Sequence, residues 1–247
     1  DEDLSSLITL GWETAVTTAS KAIRNHYNTA ITSRKVFFAP IFGRNTDWNI
    51  AAVMLYSGAG FAIPCEEEYS WDFIAERIRQ DIEENKQFKV EGKYSIPFAV
   101  VVVSEGARIK EVRETPGEYR DSDKAHGLPK LRPEWLGMEL ERLAKASGIS
   151  ARFEVHTYSI RDAEPTETDK ELSAMAGEEC IKMILDGDFG KAVDFKPDGR
   201  GFYKTFRRPI TEIAKQKFLR NTGFFDYQTL KTTQRFLEVY HDLFFDS

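Results

Sequence analysis

The segment that most constrains this chain is FAVVVVSEGA, Phe98 to Ala107. A β-branched run that is apolar at every position has no solvent face, so as a strand it must be covered on both sides. The expectation is a central strand of a sheet, ending at Ser104, with polar residues and a glycine immediately beyond it. The remaining chain has to supply helices for both faces.

Its neighbours have that character. WETAVTTASKAIRNHYNTA places Ala15, Ala19, Ile23 and Tyr27 on one helical face, and RKVFFAPIF reads as a short buried strand. DWNIAAVMLYS has helical composition, stops at Gly58 and Gly60, and leads into the strand GFAIP. SWDFIAERIRQDIEE is the next amphipathic helix, Arg108 to Pro133 a charged Gly/Pro-rich flap, and EWLGMELERLAKAS a helix. ARFEVHTYSIRDAEP predicts a further strand, and the segment from Thr166 a helix capped by a threonine and stopped by Gly187. KAVDF and GFYKTFRRPI predict a hairpin turning at KPDGRG, and DYQTLKTTQRFLEVYHDLFF a terminal helix with Leu230, Phe236, Tyr240 and Leu243 along one side.

Strands alternating with helices predict an α/β fold, a mainly parallel sheet with helices on both faces. Ligands of such sheets sit beyond the carboxyl ends of the strands. Gly43-Arg44, Glu66, Ser104-Glu105-Gly106 and Tyr158 to Arg161 all fall there. Arginine's planar fork suits a phosphate and glutamate suits sugar hydroxyls, so these clusters together sketch a sugar-phosphate site. Any one of the arginines taken alone reads more readily as a cap on the preceding strand or the partner of a surface acid; it is the cluster that points to a site. Gly43 permits a sharp turn, a close backbone approach to an anion, or both.

Other classes recede. A formal net charge of -6 argues against sequence-independent nucleic-acid binding. No apolar run reaches membrane-spanning length, and the acidic start DEDLSS is unlike a signal peptide, so no membrane association and a cytoplasmic location are expected. Cys65 and Cys180 are too few for a disulfide framework, and His26, His126, His156 and His241 lack ligand spacing, so all six read as structural or surface residues. No GxxxxGK[ST], GxGxxG or GxSxG motif occurs.

Taken in order, DEDLSS with TLGWETAVTTASKAI, IFGRN, AIPCEE, FAVVVVSEGA and YSIRDAEPTETDKELSAMAGEECIKMI resemble the motif series of the ATP- and pyrophosphate-dependent 6-phosphofructokinases, from Asp1 to about Val193. The resemblance implies phosphoryl transfer to the 1-hydroxyl of fructose 6-phosphate, in glycolysis. Asp1 would take the hydroxyl proton, with Asp3 beside it. Phe42, Gly43 and Arg44 would line the sugar pocket, Glu66 would hold sugar hydroxyls, and Lys35, Arg152, Tyr158 and Arg161 would surround the 6-phosphate. Lys35 and Arg152 match positions that reach across a subunit interface in that family, which implies a homo- or hetero-oligomer. Tyr158 and Lys35 resemble the pyrophosphate-dependent members more than the ATP-dependent ones.

The family's glycine-rich loops for the phosphoryl donor and its Mg2+ have no counterpart here. This implies that the donor site and the metal ligands lie in an upstream half or a partner chain, without which the chain is expected to be inactive. RDAEP in place of RGGSP brings Glu164 close to Arg161 and favours an alternative, a non-catalytic regulatory or sensor subunit that binds a sugar phosphate. The expected organisation is a sugar-phosphate-binding lobe over 1–158, a segment over 159–205 returning toward the donor side, and the hairpin end and terminal helix over 206–247.

Overall fold

The computed structural model describes residues 5, 6, 8–85, 89–90, 94–95, 97–116, 122–123, 128–129, 131–197 and 203–245. Along the chain run α1 (Trp12–Ser33), β1 (Val36–Ile41), α2 (Trp48–Ser57), β2 (Phe61–Ile63), β3 (Glu68–Tyr69), α3 (Trp71–Asn85), β4 (Lys89–Val90) and β5 (Tyr94–Ser95). There follow β6 (Ala99–Ser104), β7 (Arg108–Ile109), β8 (Ser122–Asp123), β9 (Leu128–Pro129), α4 (Pro133–Ala146), β10 (Ala151–Phe153), α5 (Thr157–Arg161) and α6 (Glu167–Asp186). The last elements are β11 (Lys191–Pro197), β12 (Tyr203–Pro209), α7 (Ile210–Ile213), β13 (Phe225–Asp226), β14 (Lys231–Thr232) and α8 (Gln234–Phe245).

The main sheet has strand order β10-β1-β6-β2 and every pairing in it is parallel. The valine run forms β6, an interior strand between β1 and β2, as its composition predicts. All six residues of β1 and all six of β6 are buried, so helices cover both faces. Register aligns Ile41 with Ser104 and Ile63 with Val103. The loops after β1, β2 and β6 therefore open at one end of the sheet.

Helix α1 buries Ala15, Ala19 and Ile23 as expected, but Tyr27 is only half-buried. Its inner face continues through His26 and Ala30 instead, because a 3.6-residue repeat drifts off a four-residue step. The N-termini of α1 and α6 cap each other. Asp169 in the first turn of α6 accepts from Gly11 N and Thr14 N, both at 2.8 Å, while Thr166 N donates to Thr14 Oγ1 at 3.0 Å. Thr166 is itself the N-cap of α6, and Gly187 ends that helix.

Three sequence readings change. ARFEVHTYSIRDAEP is a strand only over β10, after which Thr157–Arg161 turns into α5. The terminal helix begins at Gln234, because Leu230 has φ 58°, which no right-handed helix accommodates. Leu230 is instead fully buried, and its carbonyl accepts from Ala62 N at 3.0 Å, covering the edge at β2. The flap between Arg108 and Pro133 carries short strands where it is described; residues 117–121, 124–127 and 130 fall outside the described set.

β11 and β12 form the predicted hairpin, its turn lying outside the described residues. The expected boundary between 205 and 206 cuts through β12. A second, small core of Ile8, Leu172 and Phe195 joins α6 to the hairpin. The segment beyond Pro209 belongs to the main core. Trp12, Trp48, Phe224, Phe236 and Tyr240 pack edge to face with centroids 5.2 to 6.4 Å apart wherever a tryptophan is involved, which locks α8 against the starts of α1 and α2.

Candidate functional site

Beyond Ile41 the chain turns sharply at Gly43, whose φ of 152° is a conformation L side chains rarely adopt. The turn is pinned from β6. Ser104 Oγ and Gly106 N both donate to Gly43 O, the latter at 3.2 Å, and Glu105 N donates to Ile41 O at 2.9 Å. Gly106 lies so close that a Cβ on it would be 2.1 Å from Arg44 O. The glycine after Glu105 is thus required for Arg44 to occupy its place.

The charges of Arg44 and Arg161 both act on Glu105. Burial raises the Glu105 pKa, while the Gly43 amide at 3.5 Å and the charges of Arg161 and Arg44 pull it down. Arg161, at the end of α5, also stands over the Phe42 ring at 5.9 Å. Of the sequence-predicted residues, Phe42 and Arg161 are therefore in contact, and Gly43 and Arg44 follow Phe42 in the same turn. A cleft of about 390 Å³ lined by Gly11, Thr14, Phe42, Arg161, Pro165 and Asp169 among others opens on one side. A second, of about 630 Å³, begins at Glu105 and Gly106 and runs under the flap to Arg113 and Trp135. Tyr158, 66% exposed, sits on the same short helix as Arg161. Glu105 is visible in the sequence as a strand-end acid, but nothing there tells that it is half-buried and acted on by the charges of both arginines.

Glu66 differs from expectation. It is buried, and its carboxylate accepts Leu219 N at 2.8 Å, Asp47 N at 3.0 Å and Arg220 N at 3.0 Å. Asp47 reciprocates by accepting Cys65 N at 2.7 Å, Glu66 N at 3.1 Å and the Tyr227 hydroxyl at 3.0 Å. Burial raises the pKa of both carboxyls, with these hydrogen bonds acting in the opposite sense. Instead of facing sugar hydroxyls, Glu66 ties the start of α2 to the C-terminal segment, because three main-chain donors converge on it.

Lys35 and Arg152 lie at the other end of the sheet. Lys35 precedes β1, and Arg152 is in register with Phe37. At about 3.3 Å per residue the two are roughly 23 and 16 Å along the strands from Phe42. Within one chain they do not join Arg44. Arg152 pairs with Glu141 at 3.0 Å. Asp1 and Asp3 lie outside the described residues. Glu164 is turned to Lys170 at 3.4 Å, so the charge expected beside Arg161 already has a partner.

Two of the histidines without ligand spacing do meet. His26 Nε2 and His156 Nε2 are 2.6 Å apart although 130 residues separate them. With Glu154 they form the one group of three or more His, Cys, Asp or Glu side chains, among the described residues, that could share an ion. Mg2+ prefers an oxygen octahedron, which this nitrogen-rich group does not supply, and Asp47 and Glu66 are occupied by main-chain donors. The described residues thus supply no cluster that would hold Mg2+ by itself. No helix among them is long and apolar enough to cross a membrane.

The sequence model of the family described as Phosphofructokinase matches residues 1–184. A pyrophosphate–fructose 6-phosphate 1-phosphotransferase of Thermoproteus tenax is 28% identical over 188 residues, covering 76% of this chain and 49% of that protein. An ATP-dependent 6-phosphofructokinase of Chloroflexus aggregans is 26% identical over 194 residues, covering 78% and 49%. The chain spans about half the length of these curated relatives. A crystal structure of pyrophosphate-dependent phosphofructokinase from Nitrosospira multiformis superposes with a TM-score of 0.74 at 15% identity, covering 98% of this chain and 57% of that one. The Marinobacter aquaeolei protein of the same description gives 0.73 at 18%, with the same coverage. These two establish the shared fold.

Proposed function

The chain belongs to the phosphofructokinase family, and from that membership we propose that it supplies the sugar-phosphate site of an enzyme transferring phosphate to the 1-hydroxyl of fructose 6-phosphate. The observation that carries the proposal is Arg161, at the end of α5, standing over Phe42 beside the Gly43-Arg44 turn after β1, with the charges of both arginines acting on Glu105. The Arg161 guanidinium lines the smaller cleft and suits bidentate capture of a phosphate, the Arg44 charge acts nearby on Glu105, and Phe42 under Arg161 supplies an apolar wall for a sugar ring. Phe42, Gly43, Arg44, Tyr158 and Arg161 bind the sugar phosphate in this reading. Glu66 acts as a positioning residue for the loop that carries Arg44.

Phosphoryl transfer depends on positioning and charge stabilisation, with the nucleophile's proton removed as the new bond forms. Asp1 takes the proton of the 1-hydroxyl while that oxygen attacks the donor's terminal phosphorus, and ADP or orthophosphate leaves. Tyr158 and Lys35 favour pyrophosphate as the donor. The donor site and its Mg2+ belong to an upstream half or a partner chain. In support of this, α6 exposes Ile181, Ile184 and Leu185 on one face, with Phe189 just beyond, an apolar surface suited to a further lobe. Lys35 and Arg152, remote from their own Arg44, serve the pocket of a neighbouring copy in an oligomer.

The second reading is a non-catalytic sugar-phosphate sensor. It is favoured by Asp162 and Ala163, which stand in the loop after Arg161 where the resembling motif has two glycines. Calorimetry of fructose 6-phosphate binding, followed by turnover assays with ATP and with pyrophosphate in the presence of a donor-binding half, separates the two. Binding that Arg161→Ala abolishes, with turnover once the donor half is present, is the expected result. Unaltered binding in both Arg44→Ala and Arg161→Ala refutes the site. Binding without turnover transfers the case to the sensor.

A further inference from the structure

We propose that His26, Glu154 and His156 bind a divalent transition metal of the zinc or cobalt type, at a site separate from Arg44 and Arg161. Parallel pairing continues past β10, since Glu154 N donates to Phe38 O and His156 N to Pro40 O, both at 3.1 Å. Extended backbone places residues two apart on the same face, so Glu154 and His156 project together. Helix α1 brings His26 against His156, and the Phe37 ring stacks on it at 4.7 Å and 19° and fixes its plane.

The two imidazoles are buried and face each other through the same atom, Nε2, at 2.6 Å, with the His26 Nδ1 3.9 Å from the Glu154 carboxylate. One ligand atom from each of the three residues lies within 4.8 Å of the others. Two nitrogen lone pairs and a carboxylate are the donor set preferred by Zn2+ and its neighbours, not by Mg2+ or Ca2+. Zn–N bonds of about 2.0–2.1 Å at a tetrahedral angle put the nitrogens about 3.3 Å apart, so the rings need to part by less than roughly 1 Å. Exposed Glu154, whose carboxylate faces the other ring nitrogen of His26, Nδ1, has to swing round the ring edge to complete the set, leaving the fourth position to water.

His156 immediately precedes α5, the helix carrying Tyr158 and Arg161. A metal here fastens α1 to the junction that aims those side chains, and so serves as a structural tie. Sequence spacing gave no hint of it, since the ligands adjoin only once β10 pairs with β1.

The test uses the untagged full chain, stripped with chelator and titrated with Co2+, then with Zn2+ against a chromophoric competitor. The expected result is one equivalent of Co2+ per chain with visible d–d absorption, displaced by Zn2+, and a melting temperature raised by Zn2+. His156→Gln should abolish binding. Glu154→Gln, at an exposed side chain that does not endanger folding, should weaken it about tenfold and reduce the thermal shift. A variant with His126 and His241 both changed to Gln should bind as the wild type does. Absence of stoichiometric binding in the wild type, or equal binding in the wild type and Glu154→Gln, overturns the proposal and leaves a simple imidazole–imidazole hydrogen bond.

Discussion

Replacing Gly106 with alanine adds one methyl group at the point where the β6 loop touches the backbone of Arg44. That Cβ would sit 2.1 Å from Arg44 O, where contacts under 3.0 Å are essentially never found, a shortfall of about 0.9 Å. The atom in the way is a main-chain carbonyl that cannot rotate aside, and a second, Gly43 O, is 3.1 Å off. The two loops must separate by nearly an ångström. Overpacking of this kind costs about 1–3 kcal/mol of stability. A hydrogen bond to a charged group contributes about 1.5–3 kcal/mol, so moving Arg44 out of reach should weaken sugar-phosphate binding roughly ten- to hundredfold. Chemical denaturation measures the first effect and calorimetry with fructose 6-phosphate the second. Gly177→Ala is the control: nothing lies within 4 Å of that position in α6, and alanine there should stabilise by about 0.5–1 kcal/mol. A Gly106→Ala protein with unchanged stability and affinity would refute the claim that this contact sets the position of Arg44.

Two further outcomes are expected. Asp81, buried in α3, has its pKa pushed up to about 6 from 3.8, by burial first and by Glu84 in addition, with Arg77 and Lys231 opposing. A raised folded-state value makes its contribution most favourable below about pH 4 and progressively lost as pH rises through 6, so Asp81→Asn should match the wild type near pH 4 and exceed it at pH 8 by up to about 3 kcal/mol; a pH-independent difference in urea midpoints would contradict this. Lys35→Ala and Arg152→Ala should leave binding unchanged at concentrations where the chain sediments as a monomer and weaken it only where copies assemble; a loss in the monomer would place both residues in their own chain's pocket.

The sheet was legible in the sequence because its strongest signal is local. A run of valines cannot be solvated on either face, and the glycines after α2 mark where the chain turns back. α5 was hidden because Glu154 and His156 continue strand pairing, so the extended pattern runs into the helix with no turn residue to punctuate it. The start of α8 was misplaced because the hydrophobic repeat fits a helix from Leu230 onward, while contact with the edge at β2 draws that residue into a left-handed conformation. Of the arginines read as lying at strand ends, Arg44 follows β1 directly, whereas Arg161 lies at the end of α5. The role of Glu66 could not be read from the sequence, because its partners Leu219 and Arg220 lie more than 150 residues away.

That long-range link changes how the pocket should be regarded. The loop bearing Arg44 is held on one side by Gly106 and Ser104, and on the other by the interlocked carboxylates of Asp47 and Glu66. Glu66 is clasped in turn by the main chain at 219–220, which is anchored through Phe224, Phe236 and Tyr240 to the tryptophans at the starts of α1 and α2. A buried carboxylate left without its donors loses about 1–3 kcal/mol per missing hydrogen bond or takes up a proton. The segment after Pro209 is therefore part of the frame that aims Arg44, even though it lies beyond the stretch matched by the family's sequence model.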